Sequence, residues 1–418
     1  MANGHHAGPL RAFGTLPGSP TGLESERQVR QVPCGGHRMA VEIEVERETI
    51  RQSVRELARA RIAPRAAEID RSGEFPWDVV KLFRDQDTFA VAFPPEYGGV
   101  SGSALTLSQV IEEVASVCAT SALLLAVQAL GGYPILLGGS EEQKQRYLPE
   151  LASGRKIAAY ALSEPDAGSD AGSMRTRARR EGDDYVLDGT KMWITNGGVA
   201  DWIVVFASTD PQAGTRGISA FLVDGDSPGL ERREIHGKLG IRGSNTAELI
   251  FSSCRVPASR RLGREGEGFK IAMGVLDRSR PQIGSQALGI GAGALEYALS
   301  YARQRHQFGR AIAEFQGMQF MLADMGAQME AARCLVHEAC RAVDARDPRM
   351  TELAAMAKLV ASDAAMKVTT DAVQVLGGYG YVNEFPVERM MRDAKITQIY
   401  EGTNQIQRLV IAKRLLSR

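Results

Sequence analysis

The chain predicts a multidomain α+β protein: a helical N-terminal domain, a middle β domain of barrel or sandwich type, and a C-terminal helical bundle. Three observations predict it. Apolar residues recur at helical spacing as far as about residue 155. Short runs rich in β-formers, set between Gly, Asp and Pro, then take over. After Gly266 the helical spacing returns and persists. At 418 residues the chain can bury a large core and fill two or three domains.

Taken in order, residues 1–42 are rich in Gly, Pro, Ser and Arg without periodicity, and read as a disordered extension. The N-terminal α domain is expected over 43–156. Val45, Ile50, Val54, Leu57, Ala58 and Ile62 fall on one helical face until Pro64, and Pro76 suits the start of a second helix. Pro94 to Gly99 is a turn cluster. Leu107, Val110, Ile111 and Val114 open a further helix, and Ser140-Glu141-Glu142-Gln143 caps another. The β domain, expected over 157–265, has strand-like runs at Ala158–Leu162, Tyr185–Leu187, Trp202–Phe206, Ile218–Val223 and Ala247–Phe251. In 266–418 two stripes predict long antiparallel helices joined by short loops near Gly309 and Pro348. One is Met318, Met321, Leu322, Met325, Met329 and Ala332; the other is Leu353, Met356, Ala357, Val360 and Ala364. The methionines suit core packing.

Charge is balanced, 50 basic against 50 acidic residues, which argues against a nucleic-acid surface. Cys34, Cys118, Cys254, Cys334 and Cys340 form no CxxC pair, which suits reduced thiols in a cytoplasmic protein. Neither they nor the six scattered His residues show metal-ligand spacing. Val114 to Ser140 carries no charge, yet Gly131, Gly132 and Pro134 break the run, and Ser, Thr, Gln and a Cys interrupt it. A buried core helix ending in a turn is expected there, not a membrane span. The N-terminus lacks the compact apolar segment of a secretory signal.

Three stretches carry possible chemistry. Tyr160 to Asp170 runs from a strand into a turn dense with small residues and hydroxyls, able to present N–H and O–H groups to an oxygen-rich ligand. Lys191 to Gly198 places Trp193 and Thr195 on one strand face, which offers a flat heterocycle a stacking surface and a hydrogen bond. Each also suits a plain β-turn and a core Trp. Gln398 to Arg408 sets Glu401 beside Gly402 and before Thr403, an N-cap type, with Ile406, Leu409, Val410 and Leu415 as the apolar face of a last helix. Alone, Glu401 equally suits a partner for the helix dipole. No Rossmann GxGxxG, Walker A loop or GxSxG elbow is present.

Together these motifs closely resemble the acyl-CoA dehydrogenase family of flavoenzymes. Pro95–Gly99, Tyr160–Asp170, Lys191–Gly198, Arg305–Gly309, Gln374–Gly378 and Tyr400–Thr403 stand in that family's order and spacing. The resemblance implies a C-terminal four-helix bundle, FAD as cofactor, and oxidation of an acyl-CoA thioester to the trans-2-enoyl-CoA in fatty acid metabolism. By the same resemblance Glu401 is the base for the α-proton, while its backbone N–H and the FAD ribityl hydroxyl polarise the thioester carbonyl. Ser279 stands where other branches place the base. Tyr160, Leu162 and Ser163 resemble the segment along the flavin edge, and Gly168 and Ser169 the turn at the pyrophosphate and CoA. Trp193 resembles the residue covering the flavin, and Thr195 its hydrogen-bonding neighbour. Arg305, Gln307, Phe308, Gln374, Gly377 and Gly378 resemble residues that hold the FAD of a neighbouring subunit. Thr403 and Gln405 resemble contacts from the final helix. Asp277, Arg280, Ser169, Tyr400 and Gly402 resemble substrate-side positions; Asp277 and Arg280 also suit a solvated helix pair.

The same resemblance implies a homotetramer built as a dimer of dimers, with an electron-transfer flavoprotein as acceptor. A flavin acyl-CoA oxidase, a flavin monooxygenase and a non-catalytic acyl-CoA binder share the fold. Acyl length would be set by packing near 110–135 and 275–290.

Overall fold

The computed structural model describes residues 34–417, with side chains from residue 44 onward. Residues 1–33, most of the expected disordered extension, lie outside the described residues. The described residues divide into two units between Glu46 and Arg47. The first helix, α1, is Cys34–Leu57, so residues 34–42 are helical where the sequence reads as extension. Helix propagation explains this, since each added residue gains one hydrogen bond once a nucleus exists further along.

A π-helical turn (Ala58–Ile62) and a 3₁₀ turn (Ala63–Arg65) around Pro64 divide α1 from α2 (Ala66–Ser72). Then follow α3 (Trp77–Asp85), α4 (Ala104–Ala115), α5 (Ala119–Gly138) and α6 (Glu141–Ala152). Ser140 and Gln143 form the predicted capping box of α6. The expected turn at Gly131–Pro134 is absent, because α5 continues through it to Gly138. The glycines are there for proximity: a Cβ on Gly131 would stand 2.4 Å from the Ala158 Cβ, and one on Gly132 2.4 Å from Phe93 Cε1. This helix is the one described segment long and apolar enough to cross a membrane, and 83% of its most apolar window is buried inside the protein.

The β strands are β1 (Ala158–Ala161), β2 (Arg177–Glu181), β3 (Asp184–Thr195), β4 (Trp202–Ser208), β5 (Ile218–Asp224), β6 (Leu230–Glu234), β7 (Thr246–Pro257) and β8 (Arg261–Leu262). They hydrogen-bond in the order β6-β7-β3-β2-β4-β5-β8, with β1 parallel to β4. The halves join through one pair, Arg177 opposite Ser208. Leu187, Leu249 and Phe251 of one half share a core with Ala161, Val205, Phe221 and Val223 of the other.

The C-terminal region holds α7 (Gly268–Gln304), α8 (Gln316–Asp344), α9 (Met350–Leu376), α10 (Val387–Thr397) and α11 (Asn404–Leu416). The expected loop near Gly309 contains a small hairpin of β9 (His306–Gln307) and β10 (Arg310–Ala311). Met325, Met329 and Ala332 are buried as the methionine stripe predicts. The face expected to pack in α11 is instead partly open, with Leu409 65% exposed and Leu415 also exposed.

Candidate active site

Glu401 lies in the turn between α10 and α11 and adopts the left-handed conformation, φ +53°, with Gly402 at φ +90°. A Cβ on Gly402 would stand 2.8 Å from Gln407 Nε2, so glycine is needed there both for conformation and for room. Thr403 caps α11, its hydroxyl accepting from the Ile406 N–H at 3.3 Å. The cap therefore belongs to Thr403. Glu401 instead turns away across the bundle, where its carboxylate accepts a hydrogen bond from the Ser279 hydroxyl of α7. The two positions that the sequence offers for a base touch each other.

By accessible area Glu401 keeps a partial opening, but its carboxyl group is surrounded by protein. Burial pushes its pKa up to about 7, against the Ser279 hydrogen bond and the positive charges of Arg280 and Lys358, which pull it down. A carboxyl group poised near neutrality suits proton transfer. Its own backbone N–H has no acceptor among the described residues, which leaves it free to donate to a ligand oxygen. Because the Ser279 hydroxyl stabilises the charged form, Ser279→Ala is expected to raise the Glu401 pKa further. Infrared titration of the carboxyl stretch measures this, and an unmoved or lowered midpoint counts against the contact.

Of the residues expected on the substrate side, Arg280 lies near Glu401, with Asp277 as its partner, and Tyr400 and Gly402 adjoin it in the chain. Arg280 Nη1 lies 3.2 Å from Asp277 Oδ1, and Asp277 Oδ2 accepts from Thr351 Oγ1 at 2.7 Å. This pair is not the solvated one that sequence also allows, for both side chains are largely buried and Arg280 Nε has no partner. The Tyr400 hydroxyl is held by Gln286 of α7. Tyr160 is buried, its hydroxyl donating to Ala272 O at 3.4 Å, and burial and then the nearby Glu401 charge hold its pKa well above the usual range.

The strand-end residues form the second part. Leu162 points into the core with Tyr160, Ser163 is half-buried, and Gly168 and Ser169 are exposed. Trp193 is 63% exposed and so is no core Trp; its φ of +65° falls at a bulge where β3 gains a residue against β7 between Lys191 and Ile194. The bulge turns Trp193 and Thr195 to the open side and leaves Ile194 buried. Among the described residues the side chains of Ser163, Ser169, Trp193 and Thr195 make no hydrogen bond, and nothing lies within 4 Å of a Cβ placed on Gly168. An open ring, unpaired hydroxyls and a bare turn are the donor set that a flat heterocycle with a phosphate tail requires, so these residues fit FAD.

Sequence reasoning missed what supports this turn. Lys191 Nζ, fully buried, lies 2.8 Å from Glu164 Oε1 and 3.1 Å from Leu162 O. Glu164 also accepts from the Arg175 and Thr176 N–H groups at 2.6 and 2.9 Å. Lys358 and Asn404, beneath the Glu401 turn, were missed as well. The signal for Lys358 was a lysine at helical spacing from Ala354, Ala361 and Ala365, where an apolar residue belongs.

The remaining predicted residues form a separate group. Arg305 lies over the Tyr379 ring, 5.4 Å from its centroid, next to Gly377 and Gly378. Gln307, Phe308, Gln374, Gly377 and Gly378 are exposed, Phe308 to 94%. This group shares no hydrogen bond or ion pair with Glu401 or Trp193 among the described residues. Gln405 is exposed at the start of α11.

Residues 44–155, 159–254 and 266–416 match the N-terminal, middle and C-terminal domains of acyl-CoA dehydrogenase. A probable acyl-CoA dehydrogenase of Mycobacterium tuberculosis is 50% identical over 371 residues, 89% of this chain and 95% of that protein. Butyryl-CoA dehydrogenase from Megasphaera elsdenii superposes with a TM-score of 0.86 at 42% identity, covering 88% of this chain and 98% of that one. A chain solved in work on the electron transferring flavoprotein of Acidaminococcus fermentans reaches 0.87 at 45% identity, covering 89% and 98%. Three matching domains in one order, on a fold that brings Glu401 to Ser279 and leaves Trp193 open, give one conclusion: this chain is an oxidoreductase whose cofactor is FAD, and it belongs to the acyl-CoA dehydrogenase family.

Proposed function

We propose that this enzyme removes a proton from Cα and a hydride from Cβ of an acyl-CoA thioester, releasing the trans-2-enoyl-CoA. The observation that carries this reading is Glu401, a carboxyl group held near neutral pKa by burial, in a turn whose own N–H is unpaired. In this reading the carboxylate takes the α-proton while the Glu401 N–H donates to the thioester oxygen, making that proton more acidic. FAD, when bound, supplies the hydride acceptor. Ser163, Gly168, Ser169, Trp193 and Thr195 would hold it, together with Tyr160 and Leu162. Asp277, Arg280, Ser169, Tyr400 and Gly402 line the substrate side, with Thr403 and Gln405 nearby at the head of α11. The proposed domains are 43–156, 157–265 and 266–418, the flavin-side residues from Tyr160 to Thr195 lying in the second and Glu401 in the third.

Arg305, Gln307, Phe308, Gln374, Gly377 and Gly378 serve the cofactor of a neighbouring subunit in this reading. Support comes from exposed apolar groups on the helical region, Phe308, Phe320, Tyr381 and Leu409, which a lone chain leaves uncovered. The proposed assembly is a homotetramer, a dimer of dimers, in the cytoplasm. An electron-transfer flavoprotein is the proposed acceptor, supported by likeness to the chain from the Acidaminococcus fermentans work. Anaerobic titration with saturated acyl-CoAs of graded length tests the reaction. Flavin bleaching with one of them is expected, and none with any rejects dehydrogenation. Fast reoxidation by air with peroxide release would make the enzyme an oxidase.

A further inference from the structure

Lys358 is a charged group beside the base to which the proposed reaction gives no task. It sits in mid-α9 with 0% exposure, where an ammonium group is costly unless its donors are engaged. Its Nζ donates to Gly402 O at 2.9 Å and to Asn404 Oδ1 at 2.8 Å. Gly402 belongs to the turn that carries Glu401, and Asn404 opens the helix that follows it. Asn404 is itself tied to α9, donating to Asp363 Oδ1 at 2.7 Å and Ser362 Oγ at 2.9 Å. Gln407 Nε2 also donates to Gly402 O, at 2.8 Å. The left-handed conformation of Glu401 is strained for a residue with a Cβ and persists where neighbours over-determine it. These bonds are those neighbours.

The charges near Glu401 come from several elements. Arg280, which is paired with Asp277, faces it from α7, together with the neutral Ser279. Lys358 and Asp363 belong to α9, Tyr160 to β1, and Tyr400 is its chain neighbour. Asp277 engages Arg280, and Arg408 and the amides of Asn404 and Gln398 engage Asp363. Lys358 forms no ion pair among the described residues, since both its partners are neutral oxygens. Burial lowers the Lys358 pKa to about 7, against the pull of the Glu401 charge, so its positive field acts on the acidic side of neutrality, where the ammonium form is present.

We propose that Lys358 is a positioning residue for the base: by clamping Gly402 O and Asn404 Oδ1 it fixes Glu401 against Ser279 and supplies the positive field that favours the carboxylate. This rests on Glu401 acting as the α-proton base. The test is the rate of flavin reduction against pH for the FAD-loaded wild type, Lys358→Met, Lys358→Gln and Lys358→Arg. In the two uncharged variants the acidic limb moves up by about one unit, because the field that lowered the base's pKa is gone. Their limiting rate at high pH falls ~10-fold or more, because the turn is less well fixed. Lys358→Arg keeps the limb where the wild type has it. Uncharged variants that bind FAD and keep both limb and limiting rate overturn the inference. So does failure of the uncharged variants to fold, which would mark a lysine needed for stability alone. A wild type that bleaches with no acyl-CoA overturns the functional reading, and the inference with it; a bleaching wild type beside unmoved variants overturns only the inference.

Discussion

In Glu401→Gln, FAD remains bound but is no longer bleached by an acyl-CoA that bleaches the wild type, the rate falling by on the order of 10⁴-fold. Glutamine keeps the shape, the backbone N–H and a partner for Ser279, and removes only the basic oxygen. A companion effect reads the same group without substrate. The folded-state pKa of Glu401 is raised, so its ionisation opposes folding. Stability is lost as pH rises from the ordinary carboxyl value of 4.5 through about 7. Glu401→Gln does not carry that loss, which is at most about 3 kcal/mol. The variant is thus expected to melt higher than the wild type at pH 8, with the gap closing by pH 5. Retained bleaching would place the base elsewhere, and a gap that widens toward acid would contradict the burial.

Lys191→Met is expected to lower the melting temperature by several degrees and weaken FAD retention. The ammonium group is buried against Glu164, and removing it leaves a carboxylate, itself only 6% exposed, with two backbone N–H donors and no counter-charge. Breaking a buried pair in this way costs about 3 kcal/mol or more. Leu162 O loses a donor in the same step, at the start of the turn that carries Ser163, Gly168 and Ser169. An exposed pair gives the contrast: Lys81–Asp85, at 2.5 Å on the surface of α3, is worth about 0.5 kcal/mol, so Lys81→Met should barely move the melt. Equal shifts in both variants would show that the buried pair holds nothing in place. Calorimetry and the bound-flavin spectrum read the two effects separately.

Periodicity located the longer helices and the five apolar strands because those elements bury a face, but gave no separate sign of α2 or α10. It passed over β2 and β6, whose sequences Arg-Ala-Arg-Arg-Glu and Leu-Glu-Arg-Arg-Glu are mainly charged and exposed. Gly131 and Pro134 read as a stop because local propensity knows nothing of Ala158, against which the missing Cβ makes room. Among the candidate site residues, Glu401, Trp193 and Thr195 were legible from recognisable motifs. Lys191, Lys358 and Asn404 act through partners distant in sequence, and the amino-acid string does not order such pairs. The contact between Ser279 and Glu401 spans 122 positions and became visible only in three dimensions.

The helix α7 has a consequence for how this chain can vary. It runs 37 residues without interruption, carries Ser279 and Arg280 near its first third, and is capped by Arg305. It is a ruler between the proposed proton-transfer centre and the group proposed to face a second subunit. One residue inserted between those marks would lengthen the rod by about 1.5 Å and swing Arg305 through about 100°. Loops elsewhere can absorb such a change, but α7 has nowhere to hide one. Spacing along this helix is thus a dimension that the chain is not free to alter, even where the side chains along it can change.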